Sequence, residues 1–578
     1  MGTERYVVDA PAVDVDDANA VECAYDDASA SGPAPLTWAQ RFMWDVIAAA
    51  GVAPEAFDLL LVHDLAVPVT PDEALGVVRD FLRRHPVLRT SISRTGQGTP
   101  VQSVRASARV RVPLAHGVEA DFERQRDLVP GTTEAQLCRP LFALDRDRVV
   151  RVAMRISHLA TDAGGLRLLT DDLAASFVGR QGVDGPVETP SPVDRARFEN
   201  GPDGVEVQRR AVDVAARIYA EASPTMWPRP RRRPEPERFW YGQLRSFDLL
   251  AAMEALTRQR RLRRIGILTG ALATVSATVA GLPAALLFTI SSNRFDAAWR
   301  GYPGPLSQEA ILHLPVRDDV TETMRSAMAL TMRSLQSAAY APEAMEATRR
   351  AAQWRRGVCF DAVGSAIVLN LLADEPGVPG ATVTPVPTTF TWTGTTNAEN
   401  LGLYLDAQQT ATEFVLGARV DTSLMAPGEA EAWLRTMEWA IVSSVAGDVG
   451  VADVRAYLRG HGVRCGTDRG DNLELSLSGC ERVVAEATGA RAVRVRRHDP
   501  DGTGTLCYLA GPRLVGTPRE AHVAVMAALP AAQPAVAPST YVIVAEPPAD
   551  PCDDEAWSRL PVLSRGDGRE RTADAGQE

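Results

Sequence analysis

The chain of 578 residues contains no lysine; all 61 of its fixed positive charges are arginines. It also has no CxxC pair. Its seven cysteines, Cys23, Cys138, Cys359, Cys465, Cys480, Cys507 and Cys552, are scattered and odd in number. That excludes a disulfide framework and a cysteine zinc site and fits reduced thiols in a cytoplasmic protein, with no metal expected. No basic stretch followed by an apolar core opens the chain, so a signal peptide is not expected, and Tyr6 stands where a myristoylation signal requires Ser or Thr. Positive charge is in deficit: the net charge of −12 disfavours nucleic acid, whose phosphates need a concentrated basic surface. The longest uncharged run, 265–290, could span a bilayer, but Gly281-Leu282-Pro283 interrupts it. It reads as a buried helix (266–280), a turn and a buried strand (284–291). A Gly-x-Ser-x-Gly elbow, a P-loop and a dinucleotide fingerprint are all missing.

What is present is ordinary globular composition, 45% hydrophobic and 23% charged, in a length that suits roughly three or four units of about 150 residues. Residues 1–32 are acidic and rich in small residues, as in a disordered tail. Thr37 is placed to cap a helix, 57–67 suits a strand and 71–84 a helix that His85-Pro86 stops. Strands are expected at 87–93 and 101–112, a helix at 133–139, and a linker within 182–204, where Gly, Pro and acidic residues concentrate. The Pro-studded run 227–238 reads as an extended, solvated connector. A second mixed α/β half follows: helices at 247–259, 321–339, 342–357 and 428–446, and strands at 310–316, 381–392, 400–406 and 411–420. After a linking helix (451–460), helix 475–487, strand 490–497, a turn at Asp499-Pro500-Asp501-Gly502, strand 504–510, helix 517–529 and strand 540–545 make a small α/β unit. The polar end, 564–578, reads as a mobile tail.

The stretch that draws attention is Arg155-Ile156-Ser157-His158-Leu159-Ala160-Thr161-Asp162-Ala163-Gly164-Gly165. An apolar strand (149–156) delivers His158 to its end, Asp162 lies in the polar turn, and a helix follows the glycine pair. Ends of buried strands are where a rigid scaffold holds a reactive side chain at a cleft.

Three segments in order carry a family resemblance. Thr37-Trp38-Ala39-Gln40 with Trp44, Arg83-Arg84-His85-Pro86-Val87-Leu88-Arg89-Thr90, and Ser157-His158-Leu159-Ala160-Thr161-Asp162-Ala163 resemble the S-x-A-Q-x-R-x-W, R-H-x-x-L-R-T and H-H-x-x-x-D-G motifs of nonribosomal peptide synthetase condensation domains. Two departures stand out: Ser157 replaces the first histidine and Ala163 the glycine. The resemblance covers roughly 33–447 and implies an α/β (α+β) fold, two chloramphenicol acetyltransferase-like lobes in a V shape around a tunnel. The lobes are expected at 33–185 and 241–447, with 186–240 as linker, and the small domain at 450–563. It further implies that His158 faces the substrates as general base or positioning group, while Asp162 turns away to an arginine, for which Arg294 and Arg84 are the candidates. Gly164 and Gly165 would serve as oxyanion donors or as close-packing positions. The small domain resembles the C-terminal subdomain of adenylation enzymes, but Cys552-Asp553-Asp554 stands where that family has N-G-K, so acid activation is not expected of it.

The resemblance leaves three functions open. The first is a condensation-type acyltransferase that joins a carrier-bound acyl or aminoacyl thioester to an amine or alcohol in natural-product biosynthesis. The second is a non-catalytic condensation-like scaffold that recruits carriers or tailoring enzymes, and the third an acyltransferase that uses acyl-CoA. No pantetheine attachment sequence is present. The phosphopantetheine-tethered substrate is therefore expected in trans, on an acyl or peptidyl carrier protein, with a small-molecule acceptor as the other partner. No cofactor bound to the chain itself is expected, and no nucleic-acid or membrane partner.

Overall fold

A computed structural model describes residues 14–26, 31–51, 53–116, 131–179, 189–227, 231–360, 366–372, 374, 386–397, 399, 402–466, 477–497, 504–532 and 535–569. The turn expected at Asp499-Pro500-Asp501-Gly502, residues 228–230 of the Pro-rich run, 381–385 of an expected strand and the outer ends of both expected tails lie outside them.

The first lobe contains β1 (Asp14–Asp26), β2 (Ala34–Pro35), α1 (Trp38–Ala50), β3 (Leu59–Val69), α2 (Pro71–Arg84), β4 (Thr90–Arg94), β5 (Pro100–Val104), β6 (Ser107–His116), β7 (Cys138–Asp145), β8 (Arg148–Ile156) and α3 (Ala163–Val178). Its main sheet has the order β1-β6-β7-β8-β3, and β2-β5-β4 form a small second sheet. Four expectations are corrected here. Much of the acidic 1–32 stretch is not a tail but β1, paired antiparallel with β6. The two-residue period decides it: Cys23 and Tyr25 are buried while Glu22 and Ala24 face out. The single strand at 101–112 is two, because β5 pairs with β4 and β6 with β1. Residues 87–89, the start of the expected strand, belong instead to a 3-10 turn, Pro86–Arg89. The helix expected at 133–139 is a tight Thr133–Gln136 turn running into β7, whose partner is β8.

The expected linker at 186–240 contains two helices, α4 (Pro192–Glu199) and α5 (Pro202–Glu221). Pro192 and Pro202 occupy first-turn positions, where proline starts a helix rather than breaking one. The same run then enters the second lobe through β9 (Phe239–Ser246), which the sequence pattern did not reveal.

The second lobe continues with α6 (Phe247–Arg260), α7 (Arg264–Ala280), β10 (Ala284–Ser291), β11 (Gln308–Pro315), α8 (Val320–Leu335), α9 (Pro342–Arg356), β12 (Ile367–Leu371), β13 (Thr389–Thr396), β14 (Leu403–Gln409), β15 (Phe414–Asp421) and α10 (Pro427–Ala446). The sheet order is β11-β10-β12-β14-β15-β9-β13, with β10, β12 and β14 parallel to one another. Helix α7 is the uncharged run, buried almost throughout. Gly270 lets α8 close upon it, since a Cβ there would sit 2.4 Å from the Met324 Cα. Among the described residues no helix is long and apolar enough to cross a membrane.

The small domain consists of α11 (Val451–Gly460), α12 (Leu477–Thr488), β16 (Ala492–Arg497), β17 (Thr505–Ala510), α13 (Pro518–Ala528), β18 (Thr540–Val544), α14 (Asp554–Ser558) and β19 (Val562–Gly566), in a sheet ordered β16-β17-β18-β19. The expected tail at 564–578 therefore begins inside a strand. Just beyond it, the Arg569 carbonyl accepts from Trp354 Nε1 at 3.1 Å, and Ala537 N donates to the Gly357 carbonyl at 2.7 Å, docking this domain on the end of α9.

Candidate functional site

Strand β8 ends at Ile156 and the chain turns through Ser157–Asp162 into α3. Asp162 is the N-cap of α3: its Oδ1 accepts from Gly165 N at 2.8 Å, the local reason the helix begins there. The same carboxylate is the meeting point of the two lobes. Arg294, three residues past the end of β10, grips it with a fork, Nη1 to Oδ2 at 2.9 Å and Nη2 to Oδ1 at 2.8 Å. Leu306 N, Ser307 N and Ser307 Oγ each donate to Oδ2 at 2.8 Å. Burial alone would raise this acid, but the Arg294 charge and these donors outweigh it and hold Asp162 below the ordinary carboxylate range. A carboxylate so bound cannot act as a base.

The segment that reaches over, 292–307, is itself locked. Arg294 Nη2 also donates to the carbonyls of Tyr302 and Gly304, at 3.3 and 2.8 Å, and Thr161 Oγ1 to that of Pro303 at 2.7 Å. Tyr302 and Leu306 belong to the hydrophobic core of the first lobe, although they lie in the chain of the second. Behind them Glu199 of α4 accepts from Trp38 N at 2.7 Å and Arg195 Nε at 2.8 Å. Burial still carries that acid up to about 6. Gln40 links α1 to the turn, donating to the Leu159 carbonyl at 3.1 Å while its Oε1 completes the Thr37 capping box.

Of the two arginines expected at Asp162, the structure supplies one. Arg84 instead donates to Asp172 Oδ2 at 2.8 Å, and His85 Nε2 meets the same oxygen at 2.9 Å. Burial opposes ionisation there, but His85 and Arg84 pull Asp172 down to about 2. This pair fastens α2 to α3 and is remote from the turn in function. The glycines are positions of close approach. A Cβ on Gly164 would lie 2.9 Å from Arg294 Nη1 and one on Gly165 2.1 Å from the Pro303 oxygen. Because the Gly165 N–H is given to Asp162, its expected role as an oxyanion donor is corrected. Ser157 is buried, and its Oγ accepts from Leu159 N at 3.3 Å, so it shapes the turn.

His158 is different from its neighbours. Ser157, Leu159, Ala160, Thr161 and Asp162 are all buried, whereas His158 is only half-buried. Its Nδ1 is buried and makes no hydrogen bond of good geometry, though the main-chain carbonyls of His158 and Thr161 and the Asp162 charge favour a protonated ring. Burial is the larger effect and lowers its pKa below 6.5, so the ring is neutral at physiological pH.

Sequence reasoning found His158, Asp162 and Arg294. It missed Ser307, Tyr302 and Glu199 as parts of the anchor. Only Gln40, already inside a motif, carried a signal for its contact.

No protein-family model and no curated protein matches the chain, but solved structures do. The condensation domain of the enacyloxin polyketide synthase, described as mediating chain release, is similar with a TM-score of 0.54 and 14% identity, over 73% of this chain and 84% of that one. The SgcC5 protein from Streptomyces globisporus is similar with a TM-score of 0.54 and 14% identity, over 72% and 99%. The X-domain from teicoplanin biosynthesis, also solved in complex with OxyB, gives 0.54 and 16% over 74% and 98%. The chain therefore has the condensation-domain fold, two chloramphenicol acetyltransferase-like lobes of mixed α/β structure joined through the Asp162 anchor.

Proposed function

We propose that the protein is a condensation-type acyltransferase. It transfers an acyl or aminoacyl group from a phosphopantetheine thioester, supplied in trans by a carrier protein, to an amine or alcohol. The observation that carries this reading is the contrast within one turn: Asp162 is saturated by donors, while His158, its ring neutral, is half-buried between fully buried neighbours. With the Nδ1 edge buried against main-chain carbonyls, Nε2 is the nitrogen that would meet the acceptor. The acceptor nitrogen or oxygen attacks the thioester carbonyl, the new C–N or C–O bond forms, and the C–S bond breaks. His158 takes the acceptor proton and returns it to the departing sulfur. Ser157 and Ala163, where the family has histidine and glycine, are compatible with this scheme: Ser157 is buried and shapes the turn, and Ala163 is exposed at the start of α3.

Incubation of the protein with an acyl-carrier thioester and panels of amines and alcohols tests the reading; product detected by mass spectrometry is the expected result. Turnover of acyl-CoA but not of the carrier thioester would replace it with the acyl-CoA alternative. The likeness to an X-domain solved with OxyB favours a second reading, a docking scaffold, which predicts carrier or enzyme binding and no turnover. In either case we read the small domain as a scaffold: Asp554, in the place of a lysine, is held by Arg494 at 2.7 Å.

A pH profile supplies a further prediction. At saturating acceptor, kcat is expected to be flat at neutral pH and to fall only below pH 6.5, as protonation removes the His158 lone pair. A fall that begins well above pH 7 would contradict a base with a lowered pKa.

A further inference from the structure

The segment 292–307 leaves the second lobe through an unusual backbone. Asn293, two residues past the end of β10, has a φ of 50°. That is the left-handed region, which L residues rarely adopt and asparagine tolerates better than most. A residue other than glycine persists there where its surroundings over-determine it. The angle sets the direction in which Arg294, the next residue, departs towards Asp162.

The Asn293 side chain closes the segment into a loop. Its Nδ2 donates to the Leu306 carbonyl at 2.9 Å and to the Ala338 carbonyl at 3.0 Å. Carbonyls only accept, so both amide hydrogens are spent and the orientation of the amide is settled. The Asn293 main-chain N donates to Ser291 Oγ at 3.3 Å, and Oδ1 lies 3.0 Å from the same hydroxyl. Ala338 belongs to the connection between α8 and α9, so its bond ties the loop base to the body of the second lobe. Leu306 is held from both sides: its carbonyl takes the Asn293 bond and its N donates to Asp162 Oδ2 at 2.8 Å. One side chain therefore fixes both chain positions, 294 and 306, from which the second lobe first reaches the carboxylate. Asn293 itself bonds neither Asp162 nor His158, so its influence on the turn runs through those two residues. Glycine would supply the angle without the side-chain bonds. Aspartate would keep the angle but set a carboxylate oxygen against two carbonyls.

We propose that Asn293 is a positioning residue: it holds the loop 293–306 in the shape that presents Arg294 and Leu306 to Asp162, and through that carboxylate it fixes the turn and the electrostatic field at His158. Its effect on rate rests on the acyltransferase reading; its effect on the histidine does not. The Asp162 charge favours a protonated His158, and Arg294 offsets that charge. A loosened anchor leaves the aspartate less compensated and admits water beside the ring, and both changes favour the protonated form. The test follows the His158 ring by NMR through a pH titration of the whole chain, its signal identified by its loss in His158→Ala. In Asn293→Gly and in Asn293→Asp, His158 is expected to titrate at a higher pH than in the wild type. Arg84→Ala, which loosens α2 from α3, is expected to leave the titration in place. General destabilisation does not move the titration of a chain that is still folded, so this pattern is absent from a merely structural role. Asn293→Gly keeps the backbone angle and decides the matter if the aspartate variant does not fold. His158 titrating in Asn293→Gly as in the wild type overturns the proposal, and so does an equal shift in Arg84→Ala. With a thioester substrate, Asn293→Gly is further expected to lower kcat by about ten-fold with little change in KM; an unchanged kcat in an active enzyme overturns the proposal as well. If the histidine shifts while the wild type turns over no thioester, the positioning of the turn stands and the acyltransferase reading falls.

Discussion

Replacement of Asp162 by alanine is expected to destabilise the protein by about 3–5 kcal/mol, the usual cost of removing one partner from a buried ion pair. The variant would leave the Arg294 guanidinium, with its side chain a tenth exposed, without its anion. It would also orphan Gly165 N, Leu306 N and Ser307 N, all of which donate to that one carboxylate. The helix cap of α3 and the bond between the lobes disappear together. Denaturant unfolding measures the effect, and Asp162→Asn, which keeps one acceptor oxygen, should lose less. A variant that retains wild-type stability would sink the role of Asp162 as the interlobe anchor. The sign with pH follows from the depressed pKa. Asp162 contributes its stability above the ordinary carboxylate value of 3.8, and that contribution is lost as pH falls through its lower folded value. Arg84→Ala, in contrast, should leave the Asp162 anchor intact, because its partner is Asp172.

The second large effect is on chemistry alone. His158→Ala is expected to lower turnover of a carrier thioester by about 10²–10⁴-fold, the range for loss of a positioned general base. Unfolding free energy should stay within about 1 kcal/mol, since His158 is only half-buried and no hydrogen bond of good geometry holds its Nδ1. The loss should be larger with an alcohol acceptor than with an amine, because a neutral amine is already a nucleophile. Equal rates for the variant and the wild type would remove the histidine from the mechanism and leave the scaffold reading in possession. Asp162→Ala and His158→Ala are thus expected to separate cleanly, the first through stability and the second through rate.

Much of the architecture was legible because local rules fix it. Helix α2 begins and ends where its proline, capping threonine and His85-Pro86 place it. The uncharged run resolves into α7 and β10, as the Gly281 break implies. The errors share one cause. In β1 an alternation of only three apolar residues was hidden under acidic composition; in α4 and α5 the prolines that start helices looked like linker; and β9 becomes a strand by lying between β15 and β13. Composition averages over faces, and pairing partners lie far away in sequence.

By itself the sequence determined the α/β class, the strand-turn-helix that carries His158, and the reading of Asp162 as the supporting residue of that turn. Tertiary structure alone decided which arginine meets Asp162. Arg84 and Arg294 are equal in charge and type, and only the path of 292–307 across the lobe boundary brings one of them within 2.9 Å. It also took the Gly165 N–H out of the donors free for substrate. Hydrogen bonds and desolvation act over a few ångströms in space, whereas residues such as Asp162 and Ser307 are 145 positions apart along the chain.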